Sequence, residues 1–289
     1  YQNQDGGLKK AESDLNFSFQ KSYDLYFFLL QLMLELTDAY ERRIEAGKAK
    51  LLPTDEDMNP NVKLLNNKFI KQLRDNAELR DYLKARPLSW REYESDIKRL
   101  LNTILESDAY KEYANDWYSS YFSDVDFWRR VFREVICTDD ELEALLEDEC
   151  LFWNDDVEVI QSFVLKTIKR FDEKNGTAQP LLPMFRDEND RQFGLKLLRE
   201  SMLNAAEYRE LVNEYAKNWE SERIAFMDML VMQTAIAELL NFPSIPVNVT
   251  LNEYIDIAKA YSTAKSAAFI NGILDSIVNK LRDERKLLK

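Results

Sequence analysis

The chain of 289 residues contains no histidine, so the commonest general base and metal ligand is missing. Nor does it carry a glycine-rich phosphate loop or a nucleophile elbow. Carboxylates at helical spacing, such as Glu143 and Glu147, could share a metal or a proton, but in so acidic a stretch such pairs are expected by chance. Cys137 and Cys150 have no companions at zinc-ligand spacing. Without a disulfide framework they read as reduced cytoplasmic thiols. These features point away from an enzyme, a cofactor or a metal and toward binding. One stretch could bind by stacking. Tyr110, Tyr113, Trp117, Tyr118, Tyr121, Phe122, Phe127, Trp128 and Phe132 are interleaved with Arg129, Arg130 and Arg133, the composition of a platform for unpaired RNA bases. The same rings also make an ordinary core, which is the reading the sequence favours.

The most specific residues lie at 219–289. Ile224, Met227, Leu230, Val231, Thr234, Ala235 and Leu239 recur at three- and four-residue steps with Glu238 as a polar intruder, which predicts a core-facing helix. Pro243 and Pro246 end it. Thr250 followed by Glu253 reads as a capping box, so a new helix is expected from about Leu251 with Leu251, Tyr254, Ile255 and Ala258 inward. A break near Ser262 and Thr263 precedes a last helix carrying Phe269, Ile270, Ile273, Leu274, Ile277, Val278 and Leu281. Gly272 within it suggests a close neighbour, because glycine inside a helix costs roughly 1 kcal/mol relative to alanine.

These residues carry a resemblance. Pro246, Asn252-Glu253, Ala258-Lys259, Ser266 and the string Phe269-Ile270-Asn271-Gly272-Ile273-Leu274-Asp275 resemble the C-terminal signature of the NusB family. Trp219, Arg223, Asp228 and the Ala-Ile-Ala-Glu-Leu-Leu run from Ala235 resemble its preceding helix, and a fainter likeness reaches back to about Phe193. The resemblance implies an all-α, NusB-like helical bundle that binds a boxA-like single-stranded RNA together with a small-subunit ribosomal protein, NusE. It implies work within the RNA polymerase antitermination complex during ribosomal RNA transcription. By position in the motif, Phe269 is expected to stack on RNA, with Tyr261, Lys265 and Ser266 lining the same helix junction and Lys259 reaching phosphate. Asp228 is expected to face the ribosomal protein. On the residues alone Phe269 fits a core position equally, while Lys259 and Asp228 fit solvated helix charges; Asn271 is expected to tie the loop before its helix. Two positions depart from the pattern: Gln233 stands where many members have arginine, and Lys265 where some have an acid. The family's arginine-rich first helix is not in the chain. Its opening, Tyr1-Gln2-Asn3-Gln4-Asp5-Gly6-Gly7, reads as the end of a helix running into a loop, so this form is expected to bind RNA poorly.

The rest of the chain must position these residues. Hydrophobic content of 45% with 12% aromatic is ample for a core, and six glycines with seven prolines favour long helices. The formal charge of −13 argues against indiscriminate nucleic-acid binding. From residue 219 onward acids and bases nearly balance, so the negative charge lies upstream, densest over 123–159. The longest apolar run, 25–36, is too short to span a membrane and contains Gln31 and Glu35. With no signal peptide either, a cytoplasmic protein without membrane contact is expected. Leu15, Phe19, Tyr23, Tyr26, Leu30, Met33, Leu36 and Tyr40 predict one helix over 9–46. A loop over 48–61, a helix over 62–83, a helix capped by Ser89 and Glu92, an acidic helix capped by Thr138 and Glu141, and a helix over 157–171 follow. The best linker is 174–183. An echo between residues 110–115 and 208–213 reads as two independent amphipathic helices rather than a duplication. The expected organisation is therefore a bundle part at 1–60, an acidic, aromatic helical insertion at 61–185, and a C-terminal RNA-binding bundle at 186–289. A protein-interaction scaffold that keeps the fold without RNA is the alternative. The RNA-binding appendage of a ribosomal-RNA methyltransferase would need a nucleotide-binding domain not seen in the chain.

Overall fold

The structure, a computed structural model, describes residues 7–216, 224–263 and 265–287. Trp219 and Arg223, with the opening residues 1–6, lie outside the described residues. Those described are all-α, with no strand among them. They divide into two compact units, one formed by Phe17–Met184 and the other by Phe185–Lys289 with the chain up to Asn16.

The first unit is built on α1 (Leu8–Lys48), two residues longer at its C-terminal end than the periodicity predicts. From Leu25 to Leu36 it is buried on almost every side: Phe27, Phe28, Leu29 and Leu32 are as inaccessible as the predicted stripe of Tyr26, Leu30 and Met33. A helix that is apolar all round must be surrounded, and seven helices follow it before the last of the unit: α2 (Asp55–Met58), α3 (Lys68–Arg74), α4 (Ala77–Ala85), α5 (Glu94–Glu106), α6 (Asp108–Asn115), α7 (Tyr121–Glu134) and α8 (Asp140–Glu149), then α9 (Val157–Arg170). Rings dominate the core. Phe28 and Trp90 stack with centroids 4.0 Å apart, and the Trp90 indole donates to the Phe28 carbonyl at 2.9 Å. Of the aromatic run, Tyr113, Phe127, Trp128 and Phe132 are buried in this core, whereas Trp117, Tyr118 and Phe122 are exposed.

Three expectations need correction here. The helix predicted over 62–83 is two helices, because the buried Asn67 and Asn76 each turn a side-chain oxygen onto an amide, of Ile70 and Leu79 respectively. Asparagine competes with the helical backbone in this way, so apolar periodicity continues across a real break. The acidic helix is capped by Asp139, which accepts from Leu142 N–H at 2.7 Å, not by Thr138. Finally, the stretch expected as a linker is tied down. Gln179 is 2% exposed, its backbone carbonyl accepts from Asn76 at 2.7 Å, and its side-chain oxygen accepts from Asp172 N–H at 2.9 Å. Cys137 and Cys150 are free thiols, and burial pushes the Cys137 thiol up to about 12.

The second unit comprises α10 (Glu188–Leu203), α11 (Ala205–Ala216), α12 (Phe226–Asn241), α13 (Val247–Tyr261) and α14 (Ser266–Asp283). Helix α12 packs against all four others. It buries Val231, Met232, Ala235, Ile236, Ala237 and Leu239, more than one stripe, because neighbours surround it. Their partners are Tyr208, Val212, Tyr254, Ala258, Ile270, Ile273, Leu274, Ile277 and Leu281. Helix α13 starts four residues before the predicted Leu251, with Pro246 at its cap, where a missing N–H is no loss. Thr250 is therefore not a cap but a fully buried residue inside the helix. Among the described residues no helix is long and apolar enough to cross a membrane.

Candidate nucleic-acid interface

The junction between α13 and α14 is held from below by the first turn of α12. Ser262 leaves α13 in an extended conformation (φ −135°, ψ −162°) while its N–H still donates to Ala258. Its hydroxyl donates to Asp228 Oδ1. Ser262 Oγ lies 2.9 Å from Ser266 Oγ, and Ser266 Oγ lies 2.8 Å from Thr263 Oγ1. A carboxylate only accepts and each hydroxyl carries one proton, so the chain runs from Thr263 through Ser266 and Ser262 to Asp228. Ser266 N–H also donates to the Thr263 carbonyl at 2.9 Å. Asp228 is 6% exposed and Ser266 5%. A buried carboxylate with an O–H donor, in the first turn of a helix whose dipole favours negative charge, is satisfied without a cation.

On this frame the expected site residues come to one place along the chain, and they differ in exposure. Tyr261, the last residue of α13, is 44% exposed. Lys265 is exposed and stands at the cap of α14, where its own side chain makes no capping hydrogen bond. Phe269, a turn further on, is half-buried and packs against the core of the unit, so it is neither a wholly buried residue nor a free ring. Lys259 lies in the last turn of α13 and is paired with Asp256 at 2.7 Å. Both partners of that pair are exposed, so it contributes little and is easily exchanged for phosphate. Asp228 is the exception in kind: it is an internal tie rather than a solvated helix charge.

Three further positions are explained by their surroundings. Gln233 is 1% exposed and donates from Nε2 to the Ala205 carbonyl at 2.7 Å, tying α12 to the start of α11. Asn271 does not tie the preceding loop; it donates forward to Asp275 at 3.1 Å, its neighbour one turn on along the same helix face. Glu238, the polar intruder in an apolar stripe, accepts from the Tyr254 hydroxyl at 3.1 Å. Burial, with Glu238 alongside, holds that phenol well above the ordinary tyrosine range, so it remains a donor. In sequence Ser262 and Thr263 read as a break between helices, with no bonding role; the signal for one is two hydroxyl residues at that break, where such side chains bond to nearby polar groups.

Comparison with known proteins agrees with this region. A family model described as the NusB family matches residues 156–279, from the start of α9 into α14. The chain is 36% identical over 132 residues to the transcription antitermination protein NusB of Salinibacter ruber, which aligns 44% of this chain with 82% of that protein. It is 36% identical over 130 residues to that of Geobacter sulfurreducens, aligning 43% of this chain with 94% of the relative. To that of Chloroherpeton thalassium it is 34% identical over 122 residues, aligning 42% of this chain with 58% of the relative. No solved structure is significantly similar. With 82% and 94% of two of these relatives matched by less than half of its own length, the chain belongs to the NusB family of transcription antitermination proteins and carries a large additional helical part.

Proposed function

We propose that the second unit binds a boxA-like single-stranded RNA in company with the small-subunit ribosomal protein NusE, acting within the antitermination complex of RNA polymerase on ribosomal RNA genes. The observation that carries this reading is the α13–α14 junction. A chain of hydroxyls ties Thr263, Ser266 and Ser262 to Asp228, and Tyr261, Lys265 and Phe269 lie within a few residues of it. Single-stranded RNA is recognised by stacking on rings and by contacts to unpaired base edges. Phe269 and Tyr261 supply the rings. Lys265, at the start of the 18-residue α14, supplies a cation for phosphate next to the positive end of that helix, and Lys259 a second cation. Ser266 positions the junction from within. Asp228 acts on the ribosomal-protein side through the junction it holds.

The test is RNA affinity, by fluorescence anisotropy with and without the ribosomal protein, for the wild type and Phe269→Ala. Binding that is strengthened by the partner and weakened by about 1–3 kcal/mol on loss of the ring is expected, the contribution of one stacked base. No binding in any combination would leave the scaffold reading in its place.

A further inference from the structure

A second concave surface lies in the first unit, in the part of the chain rich in rings and acids. A cleft of about 750 Å³ opens between α7 and the C-terminal end of α9, within the range of ~300–1,000 Å³ typical of small-molecule sites. Tyr121, Phe122, Val125 and Phe171 supply its apolar surface, and Arg129, Lys169, Arg170 and Lys174 its cations. The wall is rigidly built. Gln72 accepts from the Tyr121 hydroxyl and donates to the carbonyls of Asp172 and Gly176 at 2.9 and 3.0 Å. Gly176, in the turn beside the cleft, adopts φ +50°, a backbone that side-chain-bearing residues rarely reach. Phe171 is buried against Phe69 with centroids 4.9 Å apart.

The charges of the lining are unequal in availability. Of the acids, Asp126 pairs with Arg129 at 3.1 Å and Glu173 with Lys68 at 3.4 Å, both exposed and readily exchanged pairs, while Asp172 keeps its charge and accepts from the Lys174 amide at 2.9 Å. Lys169, Arg170 and Lys174 are exposed, and among the described residues none has a carboxylate within ion-pair distance. The negative end of α9 points here, and Lys169 and Arg170 in its last turn offset it. In a chain of net charge −13, a lining of four cations, Arg129, Lys169, Arg170 and Lys174, against three acids, Asp126, Asp172 and Glu173, is locally in slight cationic excess. Beside them Phe122 holds its ring 79% exposed, a large apolar face that burial would otherwise have removed from water. A planar base with a phosphate attached meets both features at once: the ring stacks and the cations take the charge. An acidic peptide would use the cations and leave the ring idle.

We propose that this cleft is a nucleotide site for single-stranded RNA, with a base on Phe122 and its phosphates between Lys169, Arg170 and Lys174. It stands independently of the α13–α14 junction. The experiment is photo-cross-linking of a uridine hexamer containing 4-thiouridine to the whole protein, with the adduct mapped by peptide mass spectrometry. The adduct is expected on the segment carrying Tyr121 and Phe122, in the wild type and in Phe269→Ala alike, which separates this site from the junction. Phe122→Ala, and separately Lys169→Glu with Lys174→Glu, are expected to lower its yield about tenfold, as loss of one stacked base or of two phosphate contacts should. These side chains are exposed, and unchanged circular dichroism checks the fold. Absence of the adduct, or a yield in either variant equal to that of the wild type, overturns the proposal. Displacement by pentaglutamate as readily as by unlabelled hexamer would make the cleft an acidic-peptide site, and displacement by free uridine monophosphate as readily as by hexamer would make it a mononucleotide site; either result also overturns it.

Discussion

The two units bury different kinds of side chain. In the first, the largest fully buried groups are Trp90, Trp128, Tyr26, Phe27, Phe69 and Phe132. In the second, α12 is enclosed through Ala235 and Ala237 and meets Ala258 of α13, and Asp228, Gln233, Glu238, Thr250 and Ser266 are buried alongside. Rings contribute by area, and many arrangements of similar volume serve equally. A buried polar group contributes only when one particular partner stands in one particular place. The first unit also buries Asp24, Thr37, Asn67, Asn76, Asp124, Gln161, Thr167 and Gln179, and Asp124 accepts from Lys68 N–H and from the Tyr113 hydroxyl, both at 2.7 Å, so the units differ in their rings and not in having paired polar groups inside. The contrast is therefore one of large rings in the first unit against small and aliphatic side chains around α12 in the second.

The contrast is most directly broken by unequal truncations. Trp90→Ala removes a stacked, fully buried indole and should destabilise the protein by about 3–5 kcal/mol. Asp228→Ala strands the Ser262 hydroxyl and should cost about 1–3 kcal/mol. Both are read by urea denaturation, and a larger loss for Asp228 than for Trp90 would reverse the contrast. Hydrogen exchange adds a sharper readout, since only Asp228→Ala should speed exchange of the Ser266 amide.

Alkaline pH should weigh more heavily on the first unit. Burial pushes the Tyr23 and Tyr26 hydroxyls up to about 12 and also raises Tyr82, Tyr110, Tyr113 and Tyr121. In the second unit Tyr208 and Tyr254 are raised. A folded-state value above the unfolded one, near about 10, means the native state keeps a proton that the unfolded chain releases. Stability from these groups is complete below pH ~10 and falls as pH rises toward about 12. Urea midpoints are expected to hold to about pH 9 and drop by about pH 11. Tyr208→Phe with Tyr254→Phe should leave most of that drop in place; if the double variant abolishes it, the weight lies in the wrong unit.

The smallest expected effect is at Thr250. Its hydroxyl is buried with no hydrogen-bond partner among the described residues, so Thr250→Val, which keeps the shape, should be neutral or stabilising by up to about 1 kcal/mol in a thermal melt. A clear loss instead would mean that the hydroxyl is bonded, and the second unit's polar interior would be even more completely paired than Asp228 and Glu238 show.

Helical periodicity located α1 to within two residues at its C-terminal end, because a long apolar helix repeats its signal over many turns. It passed over the break at Asn76, where one amide side chain ends a helix without disturbing the apolar spacing. The capping pattern of Thr250 and Glu253 also misled, since Pro246, already in view as a helix stop, was the actual start. At the junction, the string from Phe269 to Asp275 was legible because its residues lie within two helical turns. The Asp228 to Ser262 bond was not, because no local spacing connects residues on different helices.

The sequence by itself determined that the chain is helical, that its last part is of the NusB kind, and that no histidine-based chemistry is available. These follow from composition and from patterns within one or two turns. Only the tertiary structure decided that Asp228 is an anchor rather than a surface charge, that Phe269 is half-buried, and that Phe122 shares a cleft with Lys169 and Arg170. A periodic pattern specifies which face of a helix turns inward, but the partner that meets a side chain is fixed by how separate helices pack.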